Sequence, residues 1–328
     1  MEANCSQPEQ ILAVPFGQQM GELTAALEEI SPERQRIVLS ILRDLLARQQ
    51  HDQVIMLRLL QAGPRADLWC LALVSPDGTA NLLVAGPSTQ TSIASGSKLL
   101  TALHKELERR GVEFVQAMRD PETTEPLLAA GGYQPLVVLD YLVADSAWIQ
   151  EPQRRSGDEA LCFTPYTRFF GRGKLPAKRS GRTGVGGYAN RRLEQLVART
   201  YVGSLDCPRL GEYRSCRQSL DAYRSNLHHQ PELWFVASDP QGREVGCLLL
   251  TEQPATRILE ITYMALTPEF RRRGWGNEIM RYAWQQAQRL NCQQITVAVD
   301  QENGAAKRLY QKWMLEPLMS ERVWGRRV

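Results

Sequence analysis

Apolar and polar positions along the 328-residue chain change period repeatedly, and the changes fall in a similar order in both halves. In the first half, short apolar runs bounded by turn residues predict strands at residues 11–16, 69–74, 81–85 and 112–118. A helical period covers residues 98–110 and stops at Gly111, and Ser31-Pro32 opens another helix with Ser31 as N-cap and Pro32 at the first helical position. In the second half, strands are predicted at residues 161–165, 234–237, 244–251, 258–266 and 294–299, with two more near Leu318 and Val323–Trp324. Helices are predicted near residues 192–201, 217–227, 277–290 and 304–313. Mixed order of this kind makes an α/β (α+β) fold, a mixed sheet covered by helices.

The parallel order has a residue-level counterpart. An offset of 180 places Gly96-Ser-Lys-Leu-Leu100 on Gly276-Asn-Glu-Ile-Met280, Arg109 on Arg289, Val115 on Ile295 and Asp120 on Asp300. A further shift of two places Gly132-Tyr-Gln-Pro-Leu136 on Met314-Leu-Glu-Pro-Leu318. The chain thus reads as a tandem repeat over residues 1–150 and 151–328, joined by a polar linker at residues 147–160.

Charge separates the halves. Residues 1–150 hold 11 Lys+Arg and 18 Asp+Glu, a net of −7, which leaves +10 of the total +3 for residues 151–328. A basic second half suits a polyphosphate ligand; nucleic acid is the weaker reading, because aromatic interleaving and base-reading motifs are missing. Residues 168–192 add eight Lys+Arg and no acidic residue among glycines, a surface loop or a flap over an acidic ligand. No apolar run is long enough to span a bilayer, and the first thirty residues carry five glutamates and no Lys or Arg, unlike a secretory leader. Seven scattered cysteines without a C-x-x-C pair read as reduced thiols in a cytoplasmic protein, and His228-His229 lack the further ligand a metal site needs, so no metal is expected.

The most specific chemistry begins at the strand 258–266. It runs into Arg271-Arg272-Arg273-Gly274-Trp275-Gly276-Asn277 and then into a helix. Unpaired N–H groups and the positive dipole end of a helix, approached through glycines, form a cradle for phosphates. A dinucleotide fingerprint would need glycine where Ile279 stands, and a P-loop would need Lys-Ser/Thr where Asn277-Glu278 stands. Arg271-x-x-Gly274-x-Gly276 after a strand, with Asn303-x-x-Ala306-x-x-Leu309-Tyr310 some thirty residues on, instead resembles the acetyl-CoA signature of the GNAT family of N-acetyltransferases. The resemblance covers residues 259–318 and implies tandem GNAT-like folds with a degenerate N-terminal copy, where Thr91, Ala94 and Gly96 replace Arg271, Gly274 and Gly276.

By that resemblance acetyl-CoA is the co-substrate. Arg271, Arg272, Arg273, Gly274, Trp275, Gly276, Asn277 and Asn303 are expected to hold it, with Met264, Ala265 and Leu266 pairing its pantetheine arm like an added strand. A primary amine is neutral in only about one molecule in 2,500 at pH 7, so a base helps it attack. Glu260, an acid in an apolar strand, is expected to be that base, its pKa raised by burial. Tyr310 is expected to protonate the departing thiolate, with a core aromatic as its bland alternative. Met314 stands where the family usually has glycine. The acceptor would be an amine on a small molecule or peptide. Two other functions fit less of the pattern: tRNA-dependent aminoacyl transfer, which needs no such cradle, and a non-catalytic acyl-CoA-binding module.

Overall fold

The computed structural model describes residues 10–15, 35, 38–39, 42–43, 51–60, 68–85, 93–119, 125–149, 160–169, 185–226 and 228–328. Contacts divide the chain into two units, residues 1–136 with 322–328, and residues 137–321.

The first unit contains strands β1 (Gln10–Ala13), β2 (Val54–Leu60), β3 (Leu68–Val74), β4 (Thr79–Ala85) and β5 (Phe114–Arg119), with helices α1 (Ile93–Arg109) and α2 (Pro126–Ala130). Antiparallel pairs join β1 to β2, β2 to β3 and β3 to β4. β4 and β5 are parallel but pair over only Thr79–Phe114, Ala80–Val115 and Asn81–Gln116. Leu99, Leu100, Leu103 and Leu107 recur at helical spacing along α1 and pack with Leu57, Leu59, Cys70, Leu82 and Val115 of the sheet. The last strand of the chain completes this sheet, Arg322–Arg327 pairing antiparallel with Arg119–Phe114.

The second unit holds β6 (Gln134–Asp145, from Val137 onward), β7 (Cys162–Pro165), β8 (Trp234–Ser238), β9 (Glu244–Gln253), β10 (Ile258–Leu266), β11 (Gln294–Asp300) and the start of β12 (Glu316–Arg327). Its helices are α3 (Val185–Tyr201), α4 (Cys216–Ser225), α5 (Trp275–Arg289) and α6 (Gly304–Lys312). The strand order is β6-β11-β10-β9-β8-β7. One face packs Ile279, Met280, Ala283 and Ala287 of α5 and Trp313 onto Leu248, Leu250, Leu259 and Ile261. The other face packs Leu193, Leu196 and Val197 of α3 and Leu220 of α4 onto Trp234, Val236, Cys247 and Leu249. Ser215 and Gln218 form a reciprocal capping box that starts α4.

The division between units differs from the sequence boundary at 150. β6 pairs antiparallel along the whole of β11, from Asp145–Gln294 to Leu139–Asp300, and Leu142, Ala144 and Ile149 enter the second core. The N–H of Ser146 bonds Gln293 O at 2.8 Å and its hydroxyl bonds Cys292 O at 2.6 Å. Each unit is thus finished by a strand from the opposite half of the sequence. β12 is one continuous strand where two were expected, and α1 begins five residues before the expected start. Phe16, Ser31, Pro32, Thr91, Asp120, most of the linker and residues 170–184 of the basic segment lie outside the described residues; Gln35, Val38, Leu39, Leu42 and Arg43 of the helix expected after Ser31 are helical, and residues 185–192 form the first turns of α3.

Candidate active site

β10 creates the site by changing partners along its length. It pairs parallel with β11 only at Ile258–Gln294, Leu259–Ile295, Glu260–Thr296 and Ile261–Val297. At that point the register with β9 also slips between Ile261 and Tyr263, a bulge that leaves Thr262 as the extra residue. Beyond it, Met264, Ala265 and Leu266 stay paired with Leu248, Cys247 and Gly246 of β9 and have no ladder partner on the β11 side. Their free edge can receive an extended ligand as another strand would. Gly246 is required here, since a Cβ on it would collide with the carbonyl of Ala265.

Past Leu266 the chain makes the predicted turn. Gly274 sits at the N-cap of α5 with φ 83°, a left-handed conformation, and no side chain caps the helix. Asn277 N donates to Gly274 O at 2.9 Å, while the N–H groups of Trp275 and Gly276 precede any carbonyl the helix could offer them and are left for an anion. Gly276 lets α6 pack close to the helix start: a Cβ there would stand 3.0 Å from Leu309 of α6. Trp275 is buried against Phe270, ring centroids 5.3 Å apart. Arg273 is exposed with its guanidinium 5.3 Å from the Phe270 ring centre and 5.8 Å from that of Trp275, and Arg272 is exposed at φ 59°.

Other predicted contacts have different employment. The Arg271 guanidinium donates to three main-chain carbonyls, Leu266 at 3.1 Å, Gly203 at 2.7 Å and Thr200 at 2.8 Å. Its side chain ties the end of β10 and the turn to the loop after α3. Asn277 Oδ1 accepts from the indole of Trp313 at 3.4 Å, so this side chain faces the core. Asn303 caps α6, its Oδ1 accepting from Ala306 N at 3.2 Å. Within α5, Glu278 and Arg281 form a buried ion pair.

Glu260 and Tyr310 lie on opposite faces of the sheet, beside the divergence of β10 from β11. Glu260 is opposite Thr251 on the α3/α4 face, half-buried, and accepts from Gln253 Nε2 at 3.3 Å. Burial pushes its carboxyl above the usual range, and the Gln253 bond opposes this only in part. Tyr310 is 5% exposed and packs in the core with Trp313 and Leu315. Burial, then the nearby Asp206 charge, push its phenol up, keeping it protonated as an acid must be.

Sequence reasoning missed the loop after α3. Asp206 Oδ1 accepts from Asp300 N at 3.3 Å, while Asp300 Oδ2 accepts from Cys207 N at 3.0 Å, clasping the loop to the end of β11. Burial and the Asp300 charge raise Asp206, against bonds from Asp300 N and Asn303. No motif marks these residues; only their proximity in the fold does. Likewise Lys307 of α6 pairs with Asp140 of β6 at 2.6 Å, and Ser320 donates to the same carboxylate at 2.7 Å. These bonds hold α6, and with it Tyr310, against β6.

Residues 194–314 match the sequence model of the Acetyltransferase (GNAT) family. No curated protein matches the chain. Among solved structures, a GCN5-related N-acetyltransferase from Sphaerobacter thermophilus is similar over 97% of this chain and 95% of its own, with TM-score 0.59 and 15% identity. A tandem GNAT protein from the clavulanic acid biosynthesis pathway is similar over 98% of each chain, with TM-score 0.50 and 12% identity. The glucosamine N-acetyltransferase region of a fungal multi-domain GH3 β-N-acetylglucosaminidase matches 99% of this chain and 39% of that one, with TM-score 0.60 and 14% identity. Residues 194–314 thus match the GNAT family model, and the chain shares the fold of tandem GNAT structures. No helix among the described residues is long and apolar enough to cross a membrane.

Proposed function

We propose that the second unit is an acetyl-CoA-dependent N-acetyltransferase acting on a primary amine of a small molecule or peptide. The observation that carries this is the half-paired β10: a free strand edge at Met264–Leu266 leads directly into an uncapped, glycine-bounded helix start. An extended arm ending in phosphates fits that sequence of features, with Gly274, Gly276 and the free N–H groups around the phosphates and Arg272 and Arg273 supplying charge. Bound acetyl-CoA supplies the acetyl group as an activated thioester. Glu260 accepts a proton from the acceptor ammonium or amine, directly or through water, and its raised pKa brings it nearer the working range of a base. Tyr310 donates its hydroxyl proton to the departing sulfur. Arg271 orients the turn through the three carbonyls it holds. Cytoplasmic residence belongs to the same reading.

The first unit lacks both proton-transfer groups. Asn81 takes the place of Glu260 beside the divergence and accepts from Gln116 Nε2 at 2.5 Å, and Leu128 takes the place of Tyr310. We assign that unit a scaffolding role. The test is thiol release from acetyl-CoA with a panel of primary amines, products identified by mass spectrometry. Acetylated product that falls at least 100-fold in Glu260→Gln and Tyr310→Phe supports the reading; acetyl-CoA binding without transfer to any amine, or transfer indifferent to both substitutions, overturns it.

A further inference from the structure

The bond from Gln253 to Glu260 reaches the carboxylate that the transfer chemistry needs, and the turn beside it accounts for how the amide is aimed. β9 ends at Gln253 and β10 starts at its partner Ile258, with residues 254–257 as the turn between them. Thr256 N donates to Gln253 O at 3.2 Å across that turn. Arg257, at φ 56°, ties the turn to the connection between α5 and β11: its guanidinium donates to Asn291 O at 2.8 Å and its carbonyl accepts from Gln293 N at 2.7 Å. The end of β9 from which the Gln253 side chain springs is therefore held in place.

Gln253 is two residues beyond Thr251, so its side chain leaves β9 on the same face as Glu260, which is opposite Thr251. Its amide meets a different group at each end. Nε2 donates to Glu260 Oε2 at 3.3 Å, while Oε1 lies 3.4 Å from Thr256 Oγ1, whose proton it shares with the Gln253 main-chain carbonyl at 3.3 Å. Turned over, the amide would set its oxygen against the carboxylate. A hydrogen bond given to the charged form of an acid favours that form, and burial of Glu260 acts the other way. On this face β9 presents the thiol of Cys247, β10 the phenol of Tyr263, and α3 and α4 the phenols of Tyr201 and Tyr223 and the thiol of Cys216, all pushed up by burial and so uncharged. Glu194, Asp206, Arg214 and Arg224 are the charges that act on those groups, whereas burial and Gln253 act on Glu260. Glu252 is opposite Leu259, on the other face, where it raises the Cys292 thiol after burial.

We propose that Gln253 is a positioning residue for the transfer reaction: through Oε2 it aims the Glu260 carboxylate and keeps it ionised until the acceptor amine gives up its proton, and Thr256 steadies the direction of its amide. This role rests on the reading of Glu260 as the base, and adds what prepares that base. With Oε2 bonded to Gln253, Oε1 takes the proton. Between turnovers the carboxyl returns that proton to water, a step the Gln253 bond favours because a hydrogen bond to an ionised acceptor is the stronger one. The hydroxyl of Thr256 pulls on Oε1 and so polarises the N–H at the other end of the amide.

Two readouts on the full chain test this. One is the titration of the Glu260 carboxyl by NMR of carbon-13-labelled glutamate, the signal being assigned by its loss in Glu260→Gln. The other is the pH profile of kcat/KM with acetyl-CoA and the primary amine that the panel identifies. Gln253→Leu, which keeps the bulk and removes the donor, is expected to move both the titration and the acid limb of the profile upward by about one pH unit, with the plateau at higher pH little changed. Thr256→Val, at an exposed turn position where folding is not at stake, is expected to give a smaller shift in the same direction, and Thr256→Ser to restore the original profile. A titration and limb that stay where they were in Gln253→Leu overturn the proposal, as does a loss of kcat/KM equal at every pH, which is what a merely structural role would produce. A shifted titration without acetyl transfer to any amine would keep the hold of Gln253 on Glu260 and remove the acetyltransferase reading. Transfer whose acid limb vanishes in Glu260→Gln yet stays put in Gln253→Leu would do the reverse.

Discussion

The two units repeat one backbone and differ in what it carries. Both end the helix that joins their two parallel strands with the same hydrogen bond: Val112 N to Leu107 O in one, Cys292 N to Ala287 O in the other. Both end the next helix alike, Tyr133 N to Leu128 O and Leu315 N to Tyr310 O, the longer-range bond of a Schellman motif. Both have a parallel strand pair that parts after a few residues. At the three matched left-handed positions the first unit has Gly78, Gly111 and Gly132, and the second has Arg257, Asn291 and Met314. The unit with the easier backbone is the one without Glu260, Tyr310 and the bulge at Thr262. β3 and β4 pair without a register shift, whereas β9 and β10 slip at the point where β10 leaves β11. Shared geometry thus makes the opening, and the side chains and bulge of one copy turn it into a site.

The largest expected effect concerns how far the copies can be separated. A chain of residues 151–328 lacks β6, so β11 loses its whole antiparallel partner and the core loses Leu142, Ala144 and Ile149. It is expected to show no cooperative thermal transition by circular dichroism, whereas the full chain does; cooperative melting of the fragment would show that the exchanged strands are dispensable. Next are the paired substitutions at equivalent places. Tyr310→Phe is expected to lower kcat/KM about 100- to 1,000-fold and Leu128→Met in the first unit to leave it within twofold. Because the Glu260 carboxyl is raised and must be ionised to accept a proton, kcat/KM should fall as pH drops through a value above the ordinary carboxylate range. Glu260→Gln should abolish that limb of the pH profile.

A smaller effect belongs to the first unit alone. His104 is buried, bonds the Tyr133 hydroxyl at 2.9 Å, and burial with the nearby Arg326 lowers its pKa to about 4 from the ordinary 6.5. The folded unit therefore keeps it neutral while the unfolded chain takes up a proton, so its stabilising contribution is complete above pH 6.5 and is lost as pH falls toward 4. At about 1.4 kcal/mol per pKa unit, the loss is roughly 3 kcal/mol, readable as a falling urea midpoint between those pH values that His104→Gln flattens. The smallest effect tests the matched backbone positions. Met314, at φ 60° and half exposed, gains only the main-chain bonds that a glycine would also make there, Met314 N to Gln311 O at 3.1 Å and Leu315 N to Tyr310 O at 3.1 Å, whereas the Arg257 guanidinium bonds Asn291 O at 2.8 Å. Met314→Gly should raise stability by roughly 0.5–1 kcal/mol, and Gly132→Ala should lower it by about 1 kcal/mol, both by denaturant titration.

The tandem order and the strand–turn–helix at residues 258–290 were legible because they depend on local signals. Alternation or β-branched runs mark β8–β11, and the strand, glycine turn and helix at residues 258–290 follow one another along the chain. β2 and β6 were not legible as strands. Val-Ile-Met-Leu-Arg-Leu-Leu in β2 has no period of two, being buried at nearly every position, and β6 lies between two other strands, so its apolar run does not alternate either. The strand exchange was beyond reach for the same reason, since pairing partners as far apart as Asp145 and Gln294 or Arg119 and Arg322 leave no local trace. At the site, residue types were found and employments were not. Arg271 looks like an anion binder until the three carbonyls around it are known, and Asp206 gains its neighbours only when the loop folds over the end of β11.

The central claim is that one copy of the repeat is a site and the other is its scaffold, and the stoichiometry of acetyl-CoA binding tests it most directly. Isothermal titration of the full chain should give one site per chain, lost in Gly276→Val, with a cooperative melting curve recorded beside it to show that this variant, whose Cβ would press on Leu309 at 3.0 Å, is folded. Two sites per chain, or one that survives Gly276→Val, would contradict the account.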